Sequence, residues 1–98
     1  MTFDNINQLV SLLENAKPSY NLTRQKSKIY DFILKFEELN LNHYNVLMRS
    51  FCILNWEELL ECLYFKYPEY HVDGLHFLWH YGYTDKILEF FPKNMDSL

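Results

Sequence analysis

Two histidines, His76 and His80, stand four residues apart in a stretch with helical spacing of its apolar residues. Positions i and i+4 share one face of a helix, which is the geometry of a two-histidine metal site. His71 and Asp73 are near in the sequence, but no HExxH motif or CxxC pair supplies the further ligands that zinc requires. We therefore expect no metal site and interpret both histidines as surface residues or as neighbours of aromatic rings.

Paired carboxylates are the second feature that could do chemistry, because general acid–base catalysis needs two of them in one pocket. Glu57 and Glu61 are four residues apart, and Glu37 and Glu38 are adjacent. The first pair is expected on a solvated helix face and the second at a helix end. No glycine-rich loop could hold a phosphate, and no serine or cysteine lies in a nucleophile motif. We expect neither catalytic residues nor a cofactor, unless catalytic groups converge from separate helices.

Arg24, Lys26 and Lys28 form a short basic segment, with Tyr20 and Tyr30 on either side. Cations interleaved with aromatic rings could contact the phosphates and bases of a nucleic acid. The net charge of the whole chain is −4, which opposes binding to a polyanion. Nucleic-acid binding therefore remains a secondary hypothesis.

Acidic residues and tyrosines concentrate in the second half of the chain. Residues 1–49 hold five acids and six bases, whereas residues 50–98 hold eight acids and three bases. Carboxylates can steer a basic partner toward the surface, and exposed tyrosines can anchor it there. The predicted partner-binding surface consists of Glu57, Glu58, Glu61, Tyr64, Glu69, Tyr70, Asp73, Asp85 and Glu89. The simpler alternative is that these acids only keep the domain in solution.

Length and composition predict one helical domain over residues 1–98. The chain is 49% hydrophobic and 18% aromatic, with only two glycines and three prolines, which favours long regular elements around one core. Cys52 and Cys62 are expected to be free, largely buried thiols of a reducing compartment. The N-terminus lacks the pattern of a signal peptide and no apolar run reaches about 18 residues. We therefore expect a cytoplasmic protein without a membrane span.

The spacing of apolar residues predicts an all-α bundle of five to six short helices arranged as antiparallel hairpins. Six helices are expected at about residues 5–17, 21–39, 43–53, 55–67, 71–81 and 84–91, with residues 93–98 as a frayed tail. Asn55, with Glu58 three residues later, is expected to cap the fourth helix, and Thr84 the sixth. Pro68 and Pro92 are expected to end helices, and Gly82 to adopt the left-handed conformation that closes one.

Apolar residues at helical spacing in the second half define the predicted inward faces. The expected core residues there are Trp56, Leu59, Leu60, Leu63 and Tyr67 on the fourth helix, Leu75, Leu78 and Trp79 on the fifth, and Ile87, Leu88 and Phe91 on the sixth. The third helix is expected to bury Tyr44, Leu47, Met48 and Phe51. Carboxylates at 57, 61, 85 and 89 should then point to solvent.

Residues 46–63 align with residues 74–91 at an offset of 28, which suggests two related helical hairpins. The apolar pattern agrees at pairs such as Phe51/Trp79 and Leu60/Leu88. Within the second copy, Leu75-His76, Gly82 and the residues Asp85, Ile87 and Phe90-Phe91 stand at the spacing of an ankyrin-type helix pair, which this stretch resembles. It departs from that family by lacking the preceding Thr-Pro and by carrying bulky Leu78-Trp79 in place of alanines. The resemblance implies stacked hairpins and a protein-binding role.

In size, acidic second half and content of tyrosine and tryptophan, the chain also resembles the small immunity proteins of bacterial toxin systems. This resemblance implies a non-enzymatic inhibitor that neutralises a basic, nuclease-type toxin through the acidic surface. A phage inhibitor such as an anti-CRISPR protein has the same profile. A self-assembling helical scaffold would use its exposed aromatics instead as a self-interface. The oligomeric state is left open by the sequence.

Overall fold

The computed structural model describes residues 3–15 and 17–95, with side chains described as far as Glu89. In this part of the chain there are seven α-helices and one short 3-10 turn, so the prediction of an all-α bundle is confirmed. The helices are α1 (Ile6–Glu14), α2 (Tyr20–Arg24), α3 (Lys26–Lys35), α4 (Leu41–Leu54), α5 (Glu57–Lys66), α6 (His71–His80) and α7 (Thr84–Met95), and the 3-10 turn is Pro68–Tyr70. Asn5 caps α1, because its side chain accepts the Gln8 amide.

Helix α4 is the centre of the bundle, because α1, α5 and α6 all pack against it. Its buried residues include Tyr44, Leu47, Met48 and Phe51, as the helical spacing predicts. On the side toward α1, the buried Ser50 hydroxyl donates a 2.7 Å hydrogen bond to the carbonyl of Leu13. The same carbonyl accepts the Asn15 amide at the end of α1, so the cap residue and α4 both bond it.

The segment predicted as one helix over residues 21–39 is two helices, α2 and α3, separated at Gln25. The Gln25 amide bonds the Leu22 carbonyl, three residues back, so the helix tightens and stops there. Ser19 caps α2 with its side chain, whereas α3 begins at Gln25 without a side-chain cap. Cations at 24, 26 and 28 oppose the helix dipole at this start, which favours the break.

Helix α3 ends at Lys35, four residues earlier than predicted, and the chain then runs without helical structure to Asn40. Side chains from α5 and the turn after it hold this segment through its carbonyls. Lys66 donates to Leu34, Tyr67 to Phe36, and Tyr70 to Leu39 at 2.8 Å. Tertiary hydrogen bonds thus replace the helical ones, and no local sequence signal marks this ending.

Asn55 ends α4 rather than capping α5, so the predicted capping box is wrong. Its backbone is left-handed, with φ 60° and ψ 39°, a conformation that asparagine tolerates better than most residues. The Trp56 amide bonds the Phe51 carbonyl at 3.0 Å, which closes the helix in the manner of a Schellman motif. Trp56 is then the residue from which α5 starts.

The same ending recurs 27 residues later, where Gly82 has φ 82° as predicted. The Tyr83 amide bonds the Leu78 carbonyl as Trp56 bonds Phe51, and the Gly82 amide bonds Trp79 as Asn55 bonds Cys52. The hairpins α4–α5 and α6–α7 therefore correspond at an offset of 27, and the predicted offset of 28 is wrong by one residue. At 27, Phe51 corresponds to Leu78, and both are fully buried.

Helix α7 starts and ends differently from the prediction. The Tyr83 carbonyl accepts the amides of Lys86 and Ile87, so Tyr83 stands at the cap position and Thr84 is the first helical residue. The helix continues through Pro92 to Met95. The Phe91 side chain and residues 96–98, the end of the predicted tail, lie outside the described part of the structure.

Helices α4 and α6 approach each other closely at Gly74. A Cβ atom built there would meet the Tyr44 hydroxyl and lie 2.8 Å from Cδ1 of Tyr64, closer than carbon atoms pack. Glycine is therefore required for this approach rather than for a backbone conformation. Tyr44 and Tyr64 are both fully buried beneath α6 as a result.

We predict that Gly74→Ala lowers the free energy of unfolding by about 1–3 kcal/mol, because the added methyl overpacks the contact. The Tyr44 hydroxyl is buried without a hydrogen-bond partner among the described residues, so Tyr44→Phe alone should be neutral or stabilising. The double variant should recover part of the loss, since the hydroxyl is one of the atoms in the clash. Urea denaturation measures all three, and a Gly74→Ala variant stabilised by its helix propensity would contradict the contact.

We also predict that the fold loses stability in alkali. Burial raises the pKa of Tyr67 and of the Cys52 thiol to about 12 each, from ordinary values of 10 and 9. The unfolded chain releases these protons at lower pH than the folded chain does, so the free energy of unfolding should fall as pH rises from about 9 toward 12. Urea denaturation at several pH values measures the fall. Cys52→Ala should flatten its first part, and constant stability up to pH 11 would contradict the prediction.

Candidate protein-binding surface

The first turn of α5 presents two predicted site residues, Glu57 and Glu58, to solvent. Leu59, Leu60 and Leu63 on the opposite side of the helix are buried, which fixes the carboxylates outward. Their position is favourable because the positive end of the helix dipole lies at the first turn. Negative charge therefore accumulates at this helix end at no cost to the fold.

Glu61 on α5 and Glu89 on α7 come together on either side of one lysine. The Lys86 ammonium lies 3.8 Å from Glu61 and 3.5 Å from Glu89, and its side chain is only 18% exposed. These contacts place the acids of the two helices on one continuous surface. Three carboxylates and one ammonium at Glu61, Asp85, Lys86 and Glu89 leave this part of the surface negative.

Tyr83 fixes the turn between α6 and α7 against the turn between α4 and α5. The Tyr83 hydroxyl donates to two acceptors, the Cys52 carbonyl oxygen at 3.0 Å and Oδ1 of Asn55 at 2.6 Å. Burial raises the pKa of this phenol, and the nearby Cys52 and Glu57 add to the rise. Asp85, two residues after Tyr83, is thereby held at the same end of the molecule as Glu57. We call Glu57, Glu61, Asp85 and Glu89 the α5–α7 acidic surface.

Tyr64, predicted to face outward with these acids, is fully buried, and that prediction is wrong. The close approach of α6 at Gly74 covers it. Its ring stacks on the His71 ring at 4.3 Å between centroids and 7° between planes. The Nε2–H group of His71 donates to the Tyr64 carbonyl at 3.1 Å. A partner could reach this tyrosine only if α6 moved away.

Four further predicted residues lie outside the α5–α7 acidic surface, and the first of them, Glu58, lines a cleft with Arg24 and Lys26. Tyr70 is half-buried, packs on Tyr44 at 5.0 Å, and uses its hydroxyl to hold the Leu39 carbonyl. Glu69 lines a separate open groove together with Glu37 and Glu38. Asp73 is half-buried on α6 beside Tyr44. The predicted surface is thus two groups of acids at the two ends of α5, rather than one.

Two apolar residues predicted as core, Trp79 and Leu88, are exposed, and the prediction is wrong for both. Trp79 is 70% exposed and Leu88 73% exposed, while Val72 on the same helix as Trp79 is 82% exposed. Helix α6 turns Gly74 and Leu78 toward α4, so Val72 and Trp79 face the opposite direction. A large aromatic on a solvent-facing helix surface is typical of a binding anchor. Helical spacing alone cannot reveal it, because α6 carries apolar residues on both faces.

His76 and His80 are both exposed on α6, with ring centroids 6.4 Å apart and planes 16° apart. Within residues 3–15 and 17–95, no three histidine, cysteine, aspartate or glutamate side chains are grouped to hold a metal ion. His76 is three residues before Trp79 and His80 follows it directly, so both rings are near Trp79 on the exposed part of α6. They add polar aromatic surface to this face.

The basic segment faces a carboxylate rather than open solvent alone. Arg24 and Lys26 line a cleft that also contains Glu58 and Tyr30. The Arg24 guanidinium lies 5.8 Å from the centre of the Tyr20 ring, a cation–π distance. The Lys28 ammonium lies 5.1 Å from the centre of the Phe3 ring, so two cations of this region already have aromatic partners.

No protein family matches this chain, and neither does any curated protein or solved structure. In the described ranges, no helix combines the length and the apolar composition needed to cross a lipid bilayer. Function must therefore be argued from the surface itself.

We predict that Tyr83→Phe lowers the free energy of unfolding by about 1–2 kcal/mol, since it removes the hydroxyl that joins the two turns. Tyr20→Phe is the matched control, because Tyr20 is 77% exposed and should lose nothing. Urea denaturation of both variants measures the difference. Equal stability of the two would show that the Tyr83 hydroxyl does not hold the hairpins together.

Proposed function

We propose that this chain is a non-enzymatic inhibitor that binds a basic protein in the cytoplasm, and specifically an immunity-type protein that neutralises a cognate nuclease-type toxin. The single observation that carries the proposal is the α5–α7 acidic surface. Its carboxylates come from two helices, and Lys86 holds two of them side by side. Such a surface raises the rate at which a cationic partner arrives and fixes its orientation.

A nuclease fits this surface for an electrostatic reason. An enzyme that binds a polyphosphate chain does so with lysine and arginine side chains. A protein that presents Glu57, Glu61, Asp85 and Glu89 together competes for those same cations. Blocking the substrate site in this way requires no chemistry from the inhibitor.

The state of the nucleophilic side chains supports binding rather than catalysis. Burial raises the pKa of both Cys52 and Cys62, although Lys66 partly offsets the rise at Cys62. A raised pKa keeps a thiol protonated, and the thiol is a much weaker nucleophile than the thiolate. The phenols of Tyr44, Tyr67 and Tyr83 are likewise shifted toward the neutral form.

Affinity capture from cells of the source organism tests the proposal. The expected result is a basic protein that binds at a 1:1 ratio and loses its nuclease activity when the purified chain is added. Recovery of only acidic proteins, or of a basic protein whose activity the chain leaves unchanged, would overturn the proposal.

We predict that the double variant Glu57→Gln and Asp85→Asn slows association with the captured partner by about tenfold at low salt, because electrostatic steering is lost. The matched control is Glu14→Gln with Asp31→Asn, which removes the same charge from exposed positions on α1 and α3. Surface plasmon resonance at 20 mM and 300 mM salt measures both rates. Equal slowing by the two pairs would show that only net charge matters and that the α5–α7 acidic surface is not the site.

A further inference from the structure

Helices α1, α4 and α6 form a row in which α4 lies between the other two. His43 and Ser50 on one side of α4 bond Asn7 and Leu13 of α1. Tyr44, on another side, meets Gly74 of α6. The position beyond α6 in this row is taken by no helix in the described part of the structure. The face of α6 that looks toward it carries Val72, His76 and Trp79.

The correspondence of the two hairpins at an offset of 27 residues indicates which kind of contact this face of α6 makes. Trp79 corresponds to Cys52, and Val72 corresponds to Asn45. Cys52 is 5% exposed and lies near Tyr44 and Tyr83, on the side of α4 that the α6–α7 hairpin covers. Trp79 therefore occupies on α6 the position that corresponds to the one at which α4 contacts the next hairpin. Trp79 is thus an apolar residue at a position where a neighbouring helix would make contact, although no helix in the described part of the structure lies there.

We infer that the outer face of α6 receives an amphipathic, lysine- or arginine-bordered helix of the partner, with Trp79 and Val72 as the apolar contacts. This inference rests on the proposed function and names how the partner docks. Val72 and Trp79 are seven residues apart, two turns of α6, so a helix lying along α6 contacts both. The incoming helix takes the next place in the row.

Charge selects a basic partner over a second copy of this chain. The outer face of α6 carries no lysine or arginine, whereas exposed acids stand in the turn before this helix and in the first turn of α7 after it. Two such faces brought together would repel each other, whereas a helix with cations beside its apolar stripe meets charges of opposite sign. Exposed acids at Glu69 and Asp85 stand near the two ends of α6 and can pair with those cations.

Tryptophan fluorescence tests the inference directly, because Trp56 is buried and Trp79 is exposed. The probe is a synthetic amphipathic helix with leucine on one face and lysine at the borders. Its addition to the intact chain should shift the emission maximum to shorter wavelength with a micromolar Kd. A peptide with glutamate in place of lysine, and one with serine in place of leucine, should each bind at least tenfold more weakly.

Substitutions on the outer face of α6 show where the lysine peptide binds. Trp79→Ala and Val72→Ala should each weaken binding of the lysine peptide at least fivefold, measured by titration calorimetry. The controls are Tyr20→Ala and Leu34→Ala, which remove an aromatic and an aliphatic side chain that are also exposed but lie on α2 and α3. Unchanged binding by Trp79→Ala, or equal loss in the controls, would overturn the inference.

Other occupants of this face give different results. Self-association of the free chain in sedimentation, abolished by Trp79→Ala, would identify a second copy as the occupant. A blue shift with phosphatidylglycerol vesicles but not with the peptide would identify a lipid surface. Either result would overturn the inference. If the captured partner binds the Trp79→Ala variant with unchanged affinity but is slowed by loss of Glu57 and Asp85, the docking face is wrong while the proposed function stands.

Discussion

The contact between α6 and α4 at Gly74 is the constraint on which the rest of this molecule depends. The absence of a Cβ atom lets α6 lie directly on the rings of Tyr44 and Tyr64. This contact decides which side of α6 faces the bundle, and therefore which side faces out. Because Gly74 and Leu78 point inward, Val72 and Trp79 must point away. A single small residue thus determines both the packing of the core and the character of the outer surface.

Long polar side chains perform the second structural task, which is to satisfy carbonyls where helices stop. Lys66, Tyr67 and Tyr70 hold the segment after α3, and Tyr83 holds the end of α4. Each of these tyrosines contributes its ring to packing and its hydroxyl to a carbonyl. The high tyrosine content, which suggests binding anchors when only composition is considered, is used largely to join elements within the chain. The large aromatic residue that the surface does expose on α6 is a tryptophan, Trp79.

Much of the fold could be predicted from the sequence, because helical spacing gives the class and most of the core. Tyr44, Leu47, Met48 and Phe51 of α4 stand at helical spacing, and the prediction that this face is buried is confirmed. Helix α6 differs, because its apolar residues form one broad band in which Leu75 lies between buried Leu78 and exposed Trp79. Periodicity cannot say which part of this band a neighbour covers. The glycine that decides the matter gives no periodic signal of its own.

The local sequence does not decide every helix end either. Asn55 could either start α5 through its side chain or end α4 through a left-handed backbone, and both roles are typical of asparagine. Only the hydrogen bond from the Trp56 amide to Phe51 separates them. Gly82 has no side chain that could cap a helix start, so it could only end α6 through a left-handed backbone. The prediction that it does so is confirmed. An alignment of the two hairpins by apolar pattern alone was out of register by one residue, and it paired buried Phe51 with exposed Trp79.

In the proposed complex, the charged surface and the apolar surface have different tasks. Carboxylates of α5 and α7 act over distances near the Debye length of about 8 Å at physiological salt, so they govern approach and orientation. Trp79 and Val72 act only on contact, and their burial governs how long a partner stays. The acids lie on α5 and α7 and the two apolar residues on α6, and different residues position them, Lys86 for the acids and Gly74 for the tryptophan. Rate of association and lifetime of the complex are therefore separable properties of this surface.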